Sequence, residues 1–306
     1  MSSVAFEGAR RQGGDLLRSS AVNPILVIGG TGTVGRQVVS QLLARGVRIR
    51  ALARNPATTG LPPQVDVVRG DLTLPETLDG CLDGTDAVFL VWTAPPSAVA
   101  PALERILERA QRIVFLSAPI KTAHPLFQQP NPLRAMVEQI ERLIEASGRQ
   151  WTFLRPGMFA ANALGWWAPQ IRAGDVVRWP HLAAPTAPID ERDIAAVAIR
   201  ALCDDGHASA EYVLTGPRSL SQSEQVSIIG RAVGRSLKTV EISPDEARRE
   251  LLTIGWPLPA VNMLLAAWAA AIGQPAHVTS TVFEITGTPP RSFLDWATDN
   301  AAGFRA

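Results

Sequence analysis

The sequence is poor in several residue types on which common protein functions depend. Its two cysteines, Cys81 and Cys203, are too few for a disulfide framework or a cysteine-rich zinc site. No H-E-x-x-H motif and no cysteine–histidine cluster is present, so we expect no metal. The longest apolar run, residues 263–272, is much shorter than the ~18 residues that indicate a membrane span. Tyrosine occurs once, at Tyr212.

The charges of the chain are nearly balanced. Lys and Arg total 29, Asp and Glu total 28, and the net charge is +1. This balance argues against a protein that binds nucleic acid or an anionic membrane through bulk charge. The 306 residues give room for two ordinary domains, or for one large α/β domain with an extra lobe. We therefore expect a globular cytoplasmic protein with no nucleic-acid partner and no membrane partner, and the oligomeric state is left open.

Residues 1–22 precede the first predicted strand. They contain three arginines but lack the apolar segment of a secretory signal. We predict that they form a disordered leader, and a short targeting or binding arm is the alternative.

Strand and helix patterns alternate along residues 23–156. The predicted strands are 25–28, 47–53, 65–69, 87–92, 113–116 and 151–154, and helical spacing lies between them. Alternation at this pitch is typical of an α/β fold with a doubly wound parallel sheet. Residues 157–306 are predicted to form a smaller, mostly helical second lobe over the carboxyl edge of the sheet. Within that lobe, residues 211–215 are a candidate further strand of the sheet, and Ser221 with Glu224 predicts a capping box.

A glycine-rich loop follows the first predicted strand and precedes an amphipathic helix. Two patterns fit it, G-x-G-x-x-G through Gly30 and G-x-x-G-x-x-G through Gly29. Glycines let the backbone turn tightly and approach a pyrophosphate, while the helix N-terminus offers free N–H groups. The predicted cofactor-binding residues of this loop are Gly29, Gly30, Thr31, Gly32, Thr33, Val34 and Gly35.

The second predicted strand indicates which dinucleotide is bound. An NAD enzyme usually places an acidic residue about 20 positions beyond the glycines, where it holds the ribose 2′-hydroxyl. No Asp or Glu occurs from Arg36 through Val65, and Arg54 follows the strand. A guanidinium at that place can pair with a 2′-phosphate, and Arg36 could add a second contact. The sequence therefore predicts NADP(H), although Arg54 could also be an ordinary surface arginine.

Several motifs together resemble the NmrA-like branch of the atypical short-chain dehydrogenase/reductases, which have a Rossmann fold. The motifs are GGTGTVGRQVVSQLLARG at 29–46, RALARNP at 50–56, RGDL at 69–72, VFLSA at 114–118 and LRPGMFAAN at 154–162. The resemblance implies that Asp71 and Leu72 flank the adenine of the cofactor. It also implies that Trp92, Thr93 and Ser117 border the cofactor, and that Pro156 and Gly157 lie near the nicotinamide.

The Tyr-x-x-x-Lys motif of short-chain reductases is absent, because Gly216 stands four residues after Tyr212. Relatives often carry a glutamate four residues after the lysine. If Glu138 is that residue, Arg134 stands at the lysine position and Pro130 at the tyrosine position. Arg134 could then anchor a cofactor ribose or phosphate. Its pKa is too high for a proton relay.

Other residues are weaker candidates for catalysis and for a substrate pocket. Ser117, Lys121 and His124 follow the fifth predicted strand and are the candidate proton donors, with Lys121 and His124 as solvated loop residues in the alternative. The candidate residues of an apolar pocket are Met158, Phe159, Trp166 and Trp167. The tryptophans could equally form the core of the second lobe.

Two functions fit these observations. The first is an NADPH-dependent reductase of a small apolar, conjugated or aromatic compound, because such acceptors spread the charge that hydride addition creates and need no nearby acid. The alternative is a non-catalytic sensor that binds NADP(H) and reports its redox state, since the usual catalytic residues are missing.

Overall fold

The computed structural model describes residues 23–305, so the predicted leader at 1–22 lies outside the described residues. A seven-stranded parallel sheet forms the centre of the fold, in the order β3-β2-β1-β4-β5-β6-β9. Its strands are β1 (Ile25–Ile28), β2 (Ile49–Ala53), β3 (Asp66–Arg69), β4 (Ala87–Leu90), β5 (Arg112–Leu116), β6 (Gln150–Pro156) and β9 (Ala210–Leu214). The predicted α/β class with a doubly wound parallel sheet is confirmed.

Helices cover both faces of the sheet. On one face lie α1 (Thr33–Ala44), α7 (Glu191–Cys203) and α11 (Thr281–Thr286), and on the other lie α2 (Asp79–Leu82), α3 (Val99–Arg109) and α4 (Arg134–Ala146). Apolar residues at helical spacing, such as Val34, Val38 and Leu42 of α1, are buried against the strands. The strands themselves are apolar because both of their faces are covered.

The second lobe contains most of the remaining chain. Its helices are α5 (Asn162–Trp166), α6 (Ala168–Ala173), α8 (Gln222–Val233), α9 (Pro244–Thr253), α10 (Leu258–Ala271) and α12 (Phe293–Asp299). Two small sheets also occur, a parallel pair of β7 (Val176–Trp179) with β11 (Lys238–Glu241) and an antiparallel pair of β8 (Pro185–Thr186) with β10 (Leu220–Ser221). Helix α8 begins at a capping box in which Ser221 and Glu224 bond each other's backbone N–H groups.

The chain crosses between the two parts more than once. After α5, α6 and the first small strands it returns to the sheet, where α7 packs on α1 and β9 pairs with β6 in parallel register, Phe153 opposite Glu211. Helix α11 returns once more and packs beside α7. The two parts are therefore connected by several crossings of the chain.

A charged cluster joins the start of α7 to the segment that follows α11. Asp190 caps the helix by accepting a hydrogen bond from the backbone N–H of Arg192, and it pairs with the Arg291 side chain. The backbone N–H of Arg291 donates to Asp193 at 2.8 Å. Burial of its carboxyl group raises the pKa of Asp193 to about 6, and the nearby negative charge of Asp190 acts in the same direction.

We expect this raised pKa to make stability depend on pH. The folded protein holds the Asp193 proton more tightly than the unfolded chain, so the stabilisation is complete below the unfolded pKa and is lost as the pH rises through about 6. Between pH 4 and pH 7 the wild type should lose on the order of 3 kcal/mol of its free energy of unfolding, and Asp193→Asn should abolish this loss. Urea unfolding of both proteins at the two pH values measures the free energy of unfolding. Asp83→Asn, at an exposed position, is the control, and an equal pH dependence in wild type and Asp193→Asn would contradict the assignment.

Candidate functional site

The turn between β1 and α1 requires glycine at two positions for reasons internal to the fold. Gly29 has a φ of +87°, and a Cβ there would lie 2.7 Å from the Cβ of Val91. A Cβ at Gly35 would lie 2.0 Å from the carbonyl oxygen of Gly29, so only glycine lets α1 approach the strand this closely. These two glycines build the turn and the strand–helix packing.

Gly32 is different, because nothing within the protein requires a glycine there. Its backbone is extended, with φ −79° and ψ 175°, and an added Cβ would meet only the Gly29 carbonyl oxygen, at an ordinary 3.4 Å. Gly32 is exposed and caps α1 without any side-chain hydrogen bond. The first N–H groups of α1 are therefore available to an anion, and the missing side chain lets it approach.

The other residues of this loop have distinct surroundings. Thr31 and Thr33 are exposed beside Gly32, whereas Gly30 and Val34 are buried, so Val34 can offer a ligand only its backbone. The arrangement of exposed N–H groups, missing side chains and exposed threonines fits the pyrophosphate of a dinucleotide.

The two arginines predicted at the ribose behave differently. The Arg36 guanidinium donates to the carbonyl oxygens of Thr31, Thr59 and Gly60, and so it joins the glycine loop to the loop after β2. Its suggested phosphate contact is therefore corrected to a structural role. Arg54 is exposed at the end of β2, and within residues 23–305 no hydrogen bond or ion pair engages it. Arg54 is thus the cation available to a 2′-phosphate.

The residues predicted around the adenine follow β3. The Asp71 carboxylate accepts hydrogen bonds from the backbone N–H and the hydroxyl of Thr73, and the first of these chiefly lowers the pKa of Asp71. The charge of Arg54 contributes in the same direction. Leu72 is buried in the core, so only a small part of its side chain could touch an adenine.

The predicted neighbours of the nicotinamide lie at the carboxyl ends of β4, β5 and β6, which form one edge of the parallel sheet. Trp92 is half-buried and its indole N–H donates to the Ala94 carbonyl at 2.7 Å, whereas Thr93 is exposed. Pro156 is buried at the end of β6 and Gly157 is half-buried next to it. The structure thus brings these residues to the same sheet edge as the glycine loop.

Ser117 belongs to a buried charged cluster that sequence reasoning missed. Its hydroxyl donates to Glu141 at 2.6 Å, and Glu141 is held by two hydrogen bonds of 2.9 Å from Arg155. The side chains of Arg155 and Glu141 are 2% and 3% exposed. Lys121 and Glu211 complete the cluster, with Lys121 at 3.5 Å from Glu141 and 3.1 Å from Glu211, and Arg155 at 2.8 Å from Glu211.

Both candidate proton donors, Ser117 and Lys121, contact carboxylates of this cluster. Since the Ser117 proton is directed to a carboxylate, the oxygen presents its lone pairs to any neighbour and acts as a hydrogen-bond acceptor. The ammonium group of Lys121 lies between two carboxylates. Nothing in the local sequence pattern marks Glu141, since a glutamate within an amphipathic helix normally faces solvent.

His124 is also corrected as a proton donor. It is only 8% exposed, and both ring nitrogens are bonded to the backbone. Nδ1 accepts from the N–H of Leu126 at 3.2 Å, so the proton is on Nε2, which donates to the Pro275 carbonyl at 3.0 Å. The ring therefore fastens its loop to the segment after α10, and it is not a solvated residue either.

Arg134 fixes the same loop from the other side. Its guanidinium donates to the carbonyl oxygens of Ile120 at 2.9 Å and Phe127 at 3.4 Å, and it lies 3.6 Å from Glu138. The suggested ribose or phosphate contact is thus replaced by a structural one. Because His124 and Arg134 both bond its backbone, the loop 119–131 is held in a defined shape.

That loop forms one wall of a cavity of about 170 Å³ beside Gly157. Its lining is apolar apart from two amides and contains no ionisable side chain: Pro119, Ile120, Leu126, Phe127, Gln129, Asn131, Gly157, Met158, Met263, Leu264, Ala267 and Trp268. The opening of the cavity continues along Pro130, Asn131 and Pro132 on one side and α10 on the other.

Of the predicted pocket residues, only Met158 lines this cavity. Phe159 packs instead against the core between the sheet and α7. Trp167 is fully buried and Trp166 almost so. Trp166 packs against Trp179 and Trp268, and Trp167 packs against Trp166 and Trp179, with ring centroids 5.3–6.1 Å apart. Trp166 and Trp167 therefore lie in the core of the second lobe, the alternative considered for them, and not in the lining of this cavity. The aromatic residues of its lining are Trp268 of α10 and Phe127, and no spacing in the sequence distinguished them.

Tyr212 lies away from the cavity. Its hydroxyl bonds Nδ1 of His207 at 2.8 Å, and the side chain packs against the core between the sheet and α7. Partial burial raises the pKa of its phenol. A tyrosine in this place does not contact a substrate in the cavity.

The fold and the exposed helix N-terminus together define a dinucleotide-binding α/β protein. The chain belongs to the NAD(P)H-binding family, whose model matches residues 29–205. The resemblance to the NmrA-like atypical short-chain dehydrogenase/reductases is confirmed.

Two curated relatives align along almost the whole chain. The (4-alkanoyl-5-oxo-2,5-dihydrofuran-3-yl)methyl phosphate reductase of Streptomyces griseus subsp. griseus is 37% identical over 284 residues, which cover 92% of this chain and 99% of the relative. The NAD(P)H azoreductase of Xenophilus azovorans is 34% identical and covers 92% and 99%. These relatives place the chain among the NAD(P)-dependent oxidoreductases.

Solved structures share the fold. The triphenylmethane reductase of Citrobacter sp. complexed with NADP(H) matches with a TM-score of 0.76 at 19% identity, covering 90% of this chain and 99% of that one. The NADPH-dependent quinone oxidoreductase of Escherichia coli matches with a TM-score of 0.75 at 21% identity, covering 90% and 98%. Within residues 23–305 no helix is long and apolar enough to cross a membrane, and no group of three metal-binding side chains occurs.

Substitution of Gly32 should separate binding from folding. Gly32→Val should fold with little change in melting temperature but lose NADPH binding, because its side chain occupies the space of the pyrophosphate. Fluorescence titration with NADPH and thermal melting measure the two properties. Gly35→Ala is the matched control and should lower the melting temperature, since its Cβ overlaps the Gly29 carbonyl. Normal NADPH affinity in Gly32→Val would show that the loop is only a turn.

Proposed function

We propose that the protein is an NADPH-dependent reductase of a small, apolar, conjugated or aromatic acceptor. The observation that carries this proposal is the cavity beside Gly157, which adjoins the cofactor edge of the sheet and has no ionisable side chain in its lining. A simple ketone would become a strongly basic alkoxide and would need an acid close by. A conjugated acceptor spreads the new charge and needs mainly orientation and a dry wall.

Each part of the site has a separate task in this reaction. The bound reduced nicotinamide supplies hydride. The first N–H groups of α1 bind the pyrophosphate, and Arg54 binds the 2′-phosphate. Ser117 offers an acceptor oxygen at the sheet edge, because its O–H group donates a hydrogen bond to Glu141. The apolar walls formed by Met158 and Trp268 orient the acceptor and exclude water.

The size of the cavity limits the acceptor. A cavity of about 150 Å³ is known to accept benzene, so one of about 170 Å³ fits a single ring at the reacting position. Larger substituents would extend through the opening between residues 130–132 and α10. The names of the two curated relatives describe reductases of a substituted dihydrofuranone and of azo compounds. Both names support an unsaturated acceptor, and the first also supports a ring-bearing one.

The cofactor preference is predicted from Arg54. NADPH should bind at least tenfold more tightly than NADH, which corresponds to ~1.4 kcal/mol and is modest for a charged hydrogen bond to phosphate. Arg54→Ala should remove most of this preference by weakening NADPH binding alone. Fluorescence titration of both cofactors measures the effect. Arg48→Ala, which replaces another exposed arginine of the same region of the sequence, controls for the loss of one positive charge. Equal affinities of the wild type for NADPH and NADH would refute the predicted preference.

The reaction itself is tested with a panel of acceptors. Wild-type protein with NADPH should reduce one-ring quinones and enones, and it should reduce simple cyclic ketones at least 100-fold more slowly, since losing a general acid typically costs about 10²–10⁴-fold. Tyr212→Phe should keep more than about half of the wild-type kcat, because the Tyr212 hydroxyl bonds His207 outside the cavity. If Tyr212 were the general acid, its loss should lower kcat by about 10²–10⁴-fold.

The absence of turnover with every acceptor, while NADPH still binds, would favour a non-catalytic binding protein.

A further inference from the structure

Asn131 lies where the cavity meets its opening. It lines both, and it is half-buried in the last residues before α4. Its Oδ1 accepts a hydrogen bond of 2.8 Å from the backbone N–H of Leu133, which fixes the orientation of the amide. The Nδ2 group has no hydrogen-bond partner within residues 23–305. The side chain therefore has two N–H donors to offer.

The other polar side chains of the lining do not offer an equivalent donor. The Nε2 group of Gln129 donates one of its two N–H groups to the Pro125 carbonyl at 3.1 Å, whereas both N–H groups of Asn131 are without a partner within residues 23–305. The indole N–H of Trp268 has no acceptor, but it is buried below the surface among the tryptophans of the second lobe. Asn131 is thus the side chain of the lining with both amide N–H groups available to a ligand.

The side chain of Asn131 is also informative about the chemistry. A carboxamide can donate a hydrogen bond to an anionic oxygen, but it does not give up its proton near neutral pH. A donor of this kind stabilises charge without acting as an acid.

We infer that Asn131 donates a hydrogen bond to the carbonyl oxygen of the acceptor, and that the substrates are compounds whose reducible double bond is conjugated to a carbonyl group. This inference rests on the proposed function and narrows its substrate class. Hydride adds to the carbon β to the carbonyl and forms a C–H bond, the C=C π bond breaks, and the electron pair moves to the oxygen. Asn131 stabilises that enolate oxygen, and water then supplies the proton that completes the reduction.

Equilibrium binding tests the inference without turnover. Cyclohex-2-enone and cyclohexene share a ring and differ in the carbonyl oxygen, and with NADP⁺ present neither can be reduced. Wild type should bind the enone about fivefold more tightly in calorimetry, a factor typical of one net hydrogen bond. Asn131→Asp keeps an acceptor for the N–H of Leu133 but removes the donor, so it should abolish or reverse the preference.

A matched variant separates the lost donor from the added charge. Asn262 on α10 also accepts a hydrogen bond through Oδ1, from Arg248 at 3.1 Å. It lines the opening and not the cavity itself, so it does not contact a single ring bound inside. Asn262→Asp therefore adds the same charge close by, and it should keep the preference for the enone within about twofold, since exposed charges are well screened.

Kinetics supply the second readout. Asn131→Asp should lower kcat for NADPH-dependent reduction of cyclohex-2-enone at least tenfold, while the Kd for NADPH stays unchanged. An enone preference that survives in Asn131→Asp, or is absent in wild type, would overturn the inference. If the wild type reduces no acceptor at all but still prefers cyclohex-2-enone over cyclohexene in binding, the proposed reductase function fails while the hydrogen bond from Asn131 is retained.

Discussion

Arg155 places a buried positive charge at the end of β6, and the ion pairs that neutralise this charge hold neighbouring elements together at the edge of the sheet where the candidate site lies. Its partners are Glu141 on α4 and Glu211 on β9, and Glu141 also accepts a hydrogen bond from the Ser117 hydroxyl at the end of β5. One ionic cluster therefore connects four elements, the strands β5, β6 and β9 and the helix α4. Removing one partner of such a buried pair typically costs about 3–5 kcal/mol, because the remaining charge is left without compensation.

The same cluster explains why Ser117 is not an acid. A hydroxyl whose proton is directed to a buried carboxylate can only accept further hydrogen bonds. His124 and Arg134 are likewise occupied with the backbone of the loop 119–131. The ionisable side chains near the cavity thus hold its walls in position, and the walls themselves are apolar. In the proposed reaction, charge that develops on an acceptor in this cavity is spread by the acceptor or bound by an amide.

Much of this architecture follows from short-range patterns in the sequence. The alternation of strands and helices predicted the parallel sheet, and the spacing of Ser221 and Glu224 predicted the capping box at α8. The glycine loop was recognisable, but the different tasks of Gly29, Gly32 and Gly35 depend on distances to neighbouring backbone that only the folded chain defines.

The residues that sequence reasoning missed are those defined by contacts between distant segments. Glu141 looks like a surface glutamate of an amphipathic helix until Arg155 is placed beside it. Trp268 resembles the other tryptophans in every local respect, and it lines the cavity because α10 packs against the loop 119–131. The four short strands of the second lobe have only two to four residues each, which is too short for a periodic signal.

The central claim is that reduction in this cavity proceeds without an ionising side chain. The most direct test is the pH dependence of the single-turnover rate for a conjugated enone, with NADPH and enone both saturating. Since the cavity lining holds no ionisable group, the rate should vary by less than about twofold between pH 6 and pH 9. A rate that falls about tenfold per pH unit above a single pKa in that range would reveal a side-chain acid and contradict the account.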